Sequence, residues 1–270
     1  MLGTRTGTQF GAMLMNILDA FRLDGDVAVV TGAGTGIGRG IALGLADAGA
    51  TVVVAARRGA MVEAVAEQVR SRGGRALAFT TDVTDDAAVQ RLIDATLAEL
   101  GQLDVWVNNA GGLQGERPVL LRQHSPESFD SIVGLNVRAV WRGAVLAQAV
   151  MPEGGRIINV SSIAGLRHGT PFNGPYGLSK AAVNHMTATL SLELARRRIR
   201  VNAIAPGSVD TEDMRESIGA DDERMAELAS QVPLGRLGRE SDFGAAAVYL
   251  ASRASEWVTG HVLVVSGGAS

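Results

Sequence analysis

The chain of 270 residues contains no cysteine, few aromatic residues and no long run of apolar residues. The absence of cysteine excludes disulfide bonds and thiol catalysis. Without an apolar run of about 18 residues, no segment is expected to span a membrane. A net charge of −3 gives no electrostatic basis for binding nucleic acid. We therefore expect a cytoplasmic protein that has neither a nucleic-acid nor a membrane partner.

Glycine, in contrast, is abundant, with 34 residues in a chain that is 46% hydrophobic. This size and composition are sufficient for one large core, and the glycines indicate tight turns and close backbone approaches. We expect one domain over residues 25–270, preceded by an extension over residues 1–24. In the extension, apolar residues recur at helical spacing, which predicts a short amphipathic helix packed on the protein or on a sister subunit. These residues are Phe10, Met13, Leu14, Ile17, Leu18 and Phe21.

From Val27 onward, short apolar runs alternate with helical patterns. This alternation is typical of βαβ units and predicts the α/β class. We expect a single-domain, doubly wound Rossmann fold with a seven-stranded parallel sheet and helices on both faces. The stretches Gly112–His124 and Gly207–Val232 each follow a strand, where ligand-binding loops of such sheets lie. The predicted strands are Val27–Thr31, Thr51–Ala56, Arg75–Thr80, Leu103–Asn108, Arg156–Val160, Arg200–Ala205 and Val262–Val265.

A glycine-rich turn joins the first strand to the first helix. It has the pattern T-G-x-x-x-G-x-G over residues 31–38 and differs from G-x-G-x-x-G, because Ile37 stands where the last glycine would fall. Bare backbone at this position lets a pyrophosphate approach the N–H groups of the helix N-terminus. We interpret the turn as a dinucleotide site. An ordinary glycine turn is the alternative interpretation.

A tyrosine and a lysine lie four residues apart at the start of a predicted helix, as Tyr176 and Lys180. This spacing places both side chains on one helix face. A nearby cation favours the phenolate and lowers a tyrosine pKa, so Tyr176 is a candidate general acid/base. An interfacial tyrosine beside a solvated lysine is the alternative.

The glycine spacing and the Tyr-x-x-x-Lys pair together resemble the short-chain dehydrogenase/reductase family, over about residues 25–268. The resemblance implies catalytic roles for Asn136, Ser162, Tyr176 and Lys180. Ser162 precedes Tyr176 by one residue more than the resemblance implies, so Ser161 is retained as a second candidate. The implied cofactor-binding residues are Gly32, Thr35, Gly36, Ile37, Gly38, Arg57, Asp82, Val83, Asn109, Ala110, Gly111, Tyr176, Lys180, Pro206, Gly207, Val209 and Thr211.

The C-terminal segment has Ser266 where the family usually has aspartate, and it resembles that of bacterial 7α-hydroxysteroid dehydrogenases. We therefore expect an oxidoreductase that interconverts a secondary alcohol and a ketone, acting on a small molecule and assembled as a homotetramer. The long predicted helices Ser125–Val150 and Pro175–Arg197 carry more apolar positions than one sheet face can cover, which also favours assembly. A 3-oxoacyl-carrier-protein reductase-like ketoreductase and a non-catalytic dinucleotide sensor are the alternatives.

Cofactor choice depends on the end of the second strand. An NAD enzyme usually has an acidic residue there, which binds the ribose 2′-hydroxyl. Here Ala56 occupies that position, and Arg57 and Arg58 follow it. A guanidinium pairs well with a phosphate, so the sequence favours NADP(H), with Arg57 as the main discriminator. NAD(H) stays open because Thr35 occupies a position that is basic in many NADP enzymes of this family.

The histidines show no spacing typical of metal ligands, so no metal site is expected. His168 lies in the loop before Tyr176 and is a candidate substrate contact.

Overall fold

The computed structural model describes residues 16–113, 119–167, 174–219 and 221–269. These residues form a seven-stranded parallel sheet, as predicted. Its strands are β1 (Val27–Thr31), β2 (Thr51–Ala56), β3 (Arg75–Thr80), β4 (Val105–Asn108), β5 (Arg156–Val160), β6 (Arg200–Pro206) and β7 (Val262–Val265). The strand order is β3-β2-β1-β4-β5-β6-β7. The order reverses between β1 and β4, which opens a crevice at the carboxyl ends of these two strands.

Helices cover both faces of the sheet, as expected. They are α1 (Gly36–Asp47), α2 (Gly59–Ser71), α3 (Asp86–Leu100), α4 (Pro126–Val133), α5 (Ala139–Val150), α6 (Gly174–Leu194), α7 (Glu212–Ile218), α8 (Asp222–Ser230) and α9 (Glu240–Ala251). One apolar cluster packs α1, α2 and α9 against the sheet, and a second packs α3, α5 and α6 against the other face. The chain therefore has the α/β doubly wound architecture that its sequence predicts.

Glycines bring α1 against α9. A Cβ atom on Gly40 would lie 2.1 Å from the carbonyl oxygen of Glu240, and one on Gly44 would lie 2.7 Å from Cα of Gly244. Arg39 adds an ion pair with Glu240 at 2.7 Å. This contact fixes the position of α1, whose N-terminus follows the glycine turn.

The single helix predicted over Ser125–Val150 is divided into two α-helices in the structure. Ser125 caps the N-terminus of α4, but a π-helical turn at Gly134–Arg138 separates α4 from α5. Apolar spacing does not reveal such a turn, because the residues on both sides keep helical periodicity. The stretch Gly207–Val232, interpreted from the sequence as a ligand-binding loop, contains α7 and α8, whose N-termini are capped by Thr211 and Asp221.

The N-terminal extension is described from residue 16 onward. It forms a 3₁₀ helix at Ile17–Phe21, and the Phe21 ring lies 6.4 Å from that of Tyr249 in α9. Phe10, Met13 and Leu14 lie outside the described residues, so the amphipathic helix and the division at residue 24 stay predictions. Within the described parts of the chain, no helix is long and apolar enough to cross a membrane.

Candidate active site

The glycine turn between β1 and α1 leaves no room for a side chain at Gly32 or Gly38. Gly32 and Gly36 have φ angles of +64° and +56°, which favour glycine. A Cβ atom on Gly38 would lie 2.3 Å from the carbonyl oxygen of Gly32. Thr35 precedes the helix but makes no side-chain capping bond. The turn therefore forms a bare cradle at the N-terminus of a helix, with Ile37 in its first turn, and this cradle fits the pyrophosphate of a dinucleotide.

The segment after β4 is hydrogen-bonded to this cradle. The side-chain amide of Asn109 donates to the carbonyl oxygens of Thr31 and Gly32, at 2.9 and 3.0 Å. The Thr31 hydroxyl accepts the backbone N–H groups of Asn109 and Ala110, at 3.1 and 3.3 Å. The structure thus joins two of the predicted cofactor segments across the crevice between β1 and β4.

Asp82 follows β3 on the side of the crevice where the resemblance places adenine. It accepts two hydrogen bonds from Thr84, from the backbone N–H at 2.9 Å and from the hydroxyl at 2.7 Å. Burial acts to raise the pKa of Asp82, but the bonds from Thr84 and the nearby Arg57 charge hold it below its ordinary value. Val83 packs on the core cluster beneath it. Asp82 is therefore anionic at neutral pH.

Arg57 and Arg58 are both exposed at the end of β2. Their surroundings differ. The positive charge of Arg57 helps to lower the pKa of the Asp82 carboxyl group. Nη2 of Arg58 donates instead to the Thr35 hydroxyl at 3.3 Å, across to the glycine turn.

Tyr176 and Lys180 come together on α6, as their spacing predicts. Nζ of Lys180 lies 5.5 Å from the centroid of the Tyr176 ring. It also donates to the carbonyl oxygen of Val160, at the end of β5, at 2.9 Å. Lys180 is only 3% exposed, so it is not a solvated surface lysine.

Burial controls the proton affinities of this pair. It lowers the pKa of Lys180 to about 8, because the ammonium has lost water. It also raises the pKa of the Tyr176 phenol, while hydrogen bonding with Ser162 acts in the opposite direction. The sequence-based expectation of a lowered Tyr176 pKa is therefore wrong in direction, since burial outweighs the hydrogen bond with Ser162.

Asn136 lies in the π-helical turn and is fully buried. Its amide nitrogen donates to the carbonyl oxygens of Gly112 and Ile132, at 2.8 and 2.9 Å, and its oxygen accepts the Gly112 N–H at 3.0 Å. A Cβ atom on Gly111 would lie 2.8 Å from Oδ1 of Asn136 and 3.1 Å from Nζ of Lys180. Asn136 and Lys180 thus converge on the bare backbone of Gly111.

The structure separates the two serine candidates that follow β5. Ser162 caps a short 3₁₀ turn, and its side chain hydrogen-bonds with Tyr176. Ser161 is buried, and its hydroxyl donates to the carbonyl oxygen of Lys180 at 3.1 Å. Ser162 therefore faces Tyr176, whereas Ser161 is hydrogen-bonded to the backbone of α6.

The segment after β6 closes over the cradle. Gly207, which follows Pro206, donates its N–H to the carbonyl oxygen of Val265 at 3.0 Å. Val209 is buried, and a Cβ atom on Gly36 would lie 3.2 Å from Cγ2 of Thr211. The predicted cofactor-binding segment after β6 thus lies beside the glycine turn.

A buried polar network beneath the site was missed by sequence reasoning. Nε1 of Trp106 donates to Asn108 at 2.7 Å, the Asn108 amide donates to Asn159 at 2.9 Å, and the Asn159 amide donates to Thr187 on α6 at 2.9 Å. Asn108 also donates to the carbonyl oxygen of Val140 on α5, at 3.2 Å. The only sequence signal was polar residues inside strands expected to be buried. The network connects the sheet to α5, which follows the π-helical turn that contains Asn136, and to α6, which carries Lys180.

His168 lies outside the described residues. Among the described residues, no group of three histidine, cysteine, aspartate or glutamate side chains is arranged to hold a metal ion.

Comparisons with known proteins agree with this geometry. A family model described as enoyl-(acyl carrier protein) reductase matches residues 32–270. The chain is 38% identical over 257 residues to the 2-dehydro-3-deoxy-D-gluconate 5-dehydrogenase of Escherichia coli K12, which covers 93% of this chain and 98% of that protein.

Two solved structures are similar over nearly the whole chain. One is a short-chain type dehydrogenase/reductase from Mycobacterium marinum, with 37% identity, a TM-score of 0.87 and coverage of 94% of this chain and 99% of that one. The other is a 7α-hydroxysteroid dehydrogenase complexed with NADH and 7-oxo glycochenodeoxycholic acid, with 35% identity, a TM-score of 0.86 and coverage of 93% and 96%. The chain belongs to the short-chain dehydrogenase/reductase family, whose members are NAD(P)(H)-dependent oxidoreductases acting on alcohol and ketone groups.

Proposed function

We propose that the protein is an NADP(H)-dependent oxidoreductase that interconverts a secondary alcohol and a ketone of a small molecule. The observation that carries this proposal is the convergence of Tyr176, Ser162 and Lys180 at the carboxyl end of β5, with a dinucleotide cradle at β1 of the same sheet. A bound nicotinamide supplies or accepts the hydride.

Tyr176 is the proposed general acid in the reductive direction. Its raised pKa keeps the phenol protonated at neutral pH, so it has a proton to give to the carbonyl oxygen as charge develops there. The Ser162 hydroxyl, which hydrogen-bonds with Tyr176, holds the same oxygen.

Lys180 and Asn136 support proton supply in this proposal. The Lys180 pKa of about 8 lies near neutral pH. Its ammonium can therefore supply a proton after the Tyr176 phenol has donated its own. Asn136 approaches Lys180 at Gly111. Its proposed role is to hold a water that relays protons to Lys180. Lys180 also fits the cofactor ribose, so we expect Lys180→Met to lower both the rate and the cofactor affinity.

The preference for NADP(H) is supported by Ala56, which provides no carboxylate for a ribose 2′-hydroxyl, and by the two arginines that follow it. Arg57, Asp82 and the remaining predicted cofactor residues keep the roles that the family pattern gives them. The NADH in the related 7α-hydroxysteroid dehydrogenase belongs to that protein, and cofactor titration decides the choice for this one.

A second candidate is a ketoreductase that acts on carrier-protein thioesters, because the chain is 35% identical over 253 residues to a 3-oxoacyl-[acyl-carrier-protein] reductase of Thermotoga maritima. A non-catalytic sensor is a weaker alternative, because such a protein has no need of Ser162, Tyr176 and Lys180 together. The proposal also includes a homotetramer in the cytoplasm. Light scattering that shows only a 28.0 kDa monomer at micromolar concentration would contradict the assembly.

The decisive experiment is an activity screen of the purified protein. NADPH and NADH consumption would be followed with free ketones and with 3-oxoacyl thioesters, and the reverse reaction with secondary alcohols, with Tyr176→Phe as the control. We expect turnover of at least one free ketone, faster with NADPH and absent in the control. Preference for thioesters would support the second candidate, and cofactor binding without turnover of any compound would support the sensor.

A further inference from the structure

The short 3₁₀ turn after β5, which Ser162 caps, packs directly on α6. A Cβ atom on Gly165, the last residue of this turn, would lie 2.4 Å from the backbone carbonyl carbon of Lys180. A Cβ atom on Gly177 would lie 3.2 Å from the carbonyl oxygen of Ala164. The turn therefore touches the backbone of α6 at Gly165, and Gly177 leaves room beside it.

Asn184 adds a hydrogen bond to this contact. It lies four residues after Lys180 on α6, and therefore on the same helix face as Lys180 and Gly177. Its amide nitrogen donates to the carbonyl oxygen of Gly165 at 3.2 Å. Within the described parts of the chain, its amide oxygen is buried and has no hydrogen-bond partner.

The unpaired oxygen of Asn184 makes this residue a poor choice for stability alone. A buried acceptor without a donor destabilises a fold, and leucine would fill a similar volume without that penalty. The N–H bond to Gly165 is what the amide provides and leucine would not. The bond acts on the position of the turn, so the turn is where we look for the role of Asn184.

The position of Ser162 depends on this turn. Ser162 precedes Tyr176 by one residue more than the family resemblance implies, yet the two side chains are hydrogen-bonded. Inside the turn, the Ser162 hydroxyl accepts the Ala164 N–H at 3.1 Å, and its carbonyl oxygen accepts the Gly165 N–H at 3.0 Å. A displacement of the turn along α6 would therefore move Ser162 relative to Tyr176.

We propose that Asn184 is a positioning residue, which holds the turn against α6 and so keeps the Ser162 hydroxyl within reach of Tyr176 and the reacting oxygen. This inference rests on the proposed function, because it gives Ser162 and Tyr176 the roles stated there. Asn184 acts through Ser162 and touches neither substrate nor cofactor. Ser162 and Tyr176 are then both fixed to one helix, although the loop between them is longer than the resemblance implies.

Hydrogen exchange measured by mass spectrometry tests the hold on the turn without any substrate. In Asn184→Ala, we expect the backbone amides of residues 164–167, which bond to residues 162 and 163, to exchange at least about fivefold faster than in the wild type. The matched control is Asn202→Ala, which removes another buried asparagine, whose amide donates to the carbonyl oxygen of Val258 at 2.9 Å. This control should leave exchange in the turn unchanged. Unchanged exchange in Asn184→Ala would overturn the proposal.

A double-mutant cycle tests whether Asn184 acts through Ser162. A ketone found in the activity screen would be used with Asn184→Leu, Ser162→Ala and the double variant. We expect Asn184→Leu to lower kcat by about 5- to 50-fold, because a displaced donor stabilises the transition state poorly, and to leave the KM for NADPH within about twofold. In the Ser162→Ala background, the same substitution should change kcat by less than about twofold.

A stability measurement separates positioning from general destabilisation. Asn184→Leu should unfold at a temperature no lower than Asn202→Ala, while only Asn184→Leu should lose turnover. Equal losses of kcat in both backgrounds of the cycle, or a loss in Asn202→Ala as large as in Asn184→Leu, would overturn the proposal. If Ser162→Ala keeps wild-type turnover, the proposed function fails, and the catalytic role of Asn184 fails with it. The exchange measurement still decides whether Asn184 holds the turn.

Discussion

The start of α6 and the end of β2 both carry cations, but in opposite surroundings. Lys180 is 3% exposed, and burial brings its pKa to about 8. Arg57 and Arg58 are exposed, where water and salt moderate every interaction. A buried cation such as Lys180 can take part in proton exchange near neutral pH, because burial lowers its pKa. An exposed guanidinium keeps its charge and can discriminate between anionic ligands.

The largest effect should come from the buried region. Tyr176→Phe removes the proposed proton donor but keeps the ring that packs near Lys180. We expect turnover to fall by about 10²–10⁴-fold, with the dissociation constant for NADPH changed by less than about twofold. Steady-state kinetics and fluorescence titration would measure the two quantities. Retention of a tenth of the wild-type turnover would remove Tyr176 from its central role.

A smaller effect should separate the adjacent serines. Ser162→Ala should lower turnover by about 10²–10³-fold, as the loss of one donor to a developing oxyanion does. Ser161→Ala is the matched control. It should keep turnover within about threefold and lower the free energy of unfolding by about 0.5–1.5 kcal/mol, because the carbonyl of Lys180 loses its side-chain donor but remains within the hydrogen-bond ladder of α6. A greater loss of turnover in Ser161→Ala would reverse the assignment.

The strands could be predicted almost completely, and the reason is physical. Parallel strands buried on both faces are continuous apolar runs, as in Val52–Val54. The predicted fourth strand begins two residues early, at Leu103, because Leu103 and Asp104 are buried without belonging to the ladder.

The candidate site could be predicted as a set of residues but not as an arrangement. Spacing placed Tyr176 and Lys180 on one face, but it contained no measure of the burial that reverses the expected Tyr176 shift. It also could not show which serine faces Tyr176, or that Arg58 reaches Thr35 while Arg57 acts on Asp82. These features depend on contacts between segments distant in sequence, which periodicity does not report.

The buried lysine should also affect stability as pH changes. Because its folded pKa is about 8 and its ordinary value is 10.5, the unfolded chain holds more protons between these values. The free energy of unfolding contributed by Lys180 therefore rises as pH increases through this window, and the full cost of the buried ammonium is present below pH 8. Relative to Lys180→Met, the wild type should gain about 2 kcal/mol between pH 7.5 and 9.5.

Urea unfolding of both proteins without cofactor, at one fixed protein concentration, would measure this difference. The comparison with Lys180→Met cancels the other groups that titrate in the same range. A constant difference across the window would show that Lys180 is not buried as an ammonium with lowered pKa.

The smallest effect should appear as a salt dependence that only the exposed region shows. At 0.05 M KCl the Debye length is about 14 Å, whereas at 0.5 M it is only about 4 Å. NADPH should therefore lose about two- to fivefold in affinity relative to NADH over this range, as expected for exposed charge pairs.

NADH serves as the internal control, because it differs only in the missing phosphate. Replacing both Arg57 and Arg58 by alanine should remove most of the salt dependence. The Tyr176-dependent rate at saturating cofactor should hardly change, because salt does not reach buried Lys180. Equal salt dependence for NADPH and NADH would mean that the cations at the end of β2 do not contact the phosphate. A saturated rate that falls with salt as steeply as the NADPH affinity would remove the distinction between the two regions.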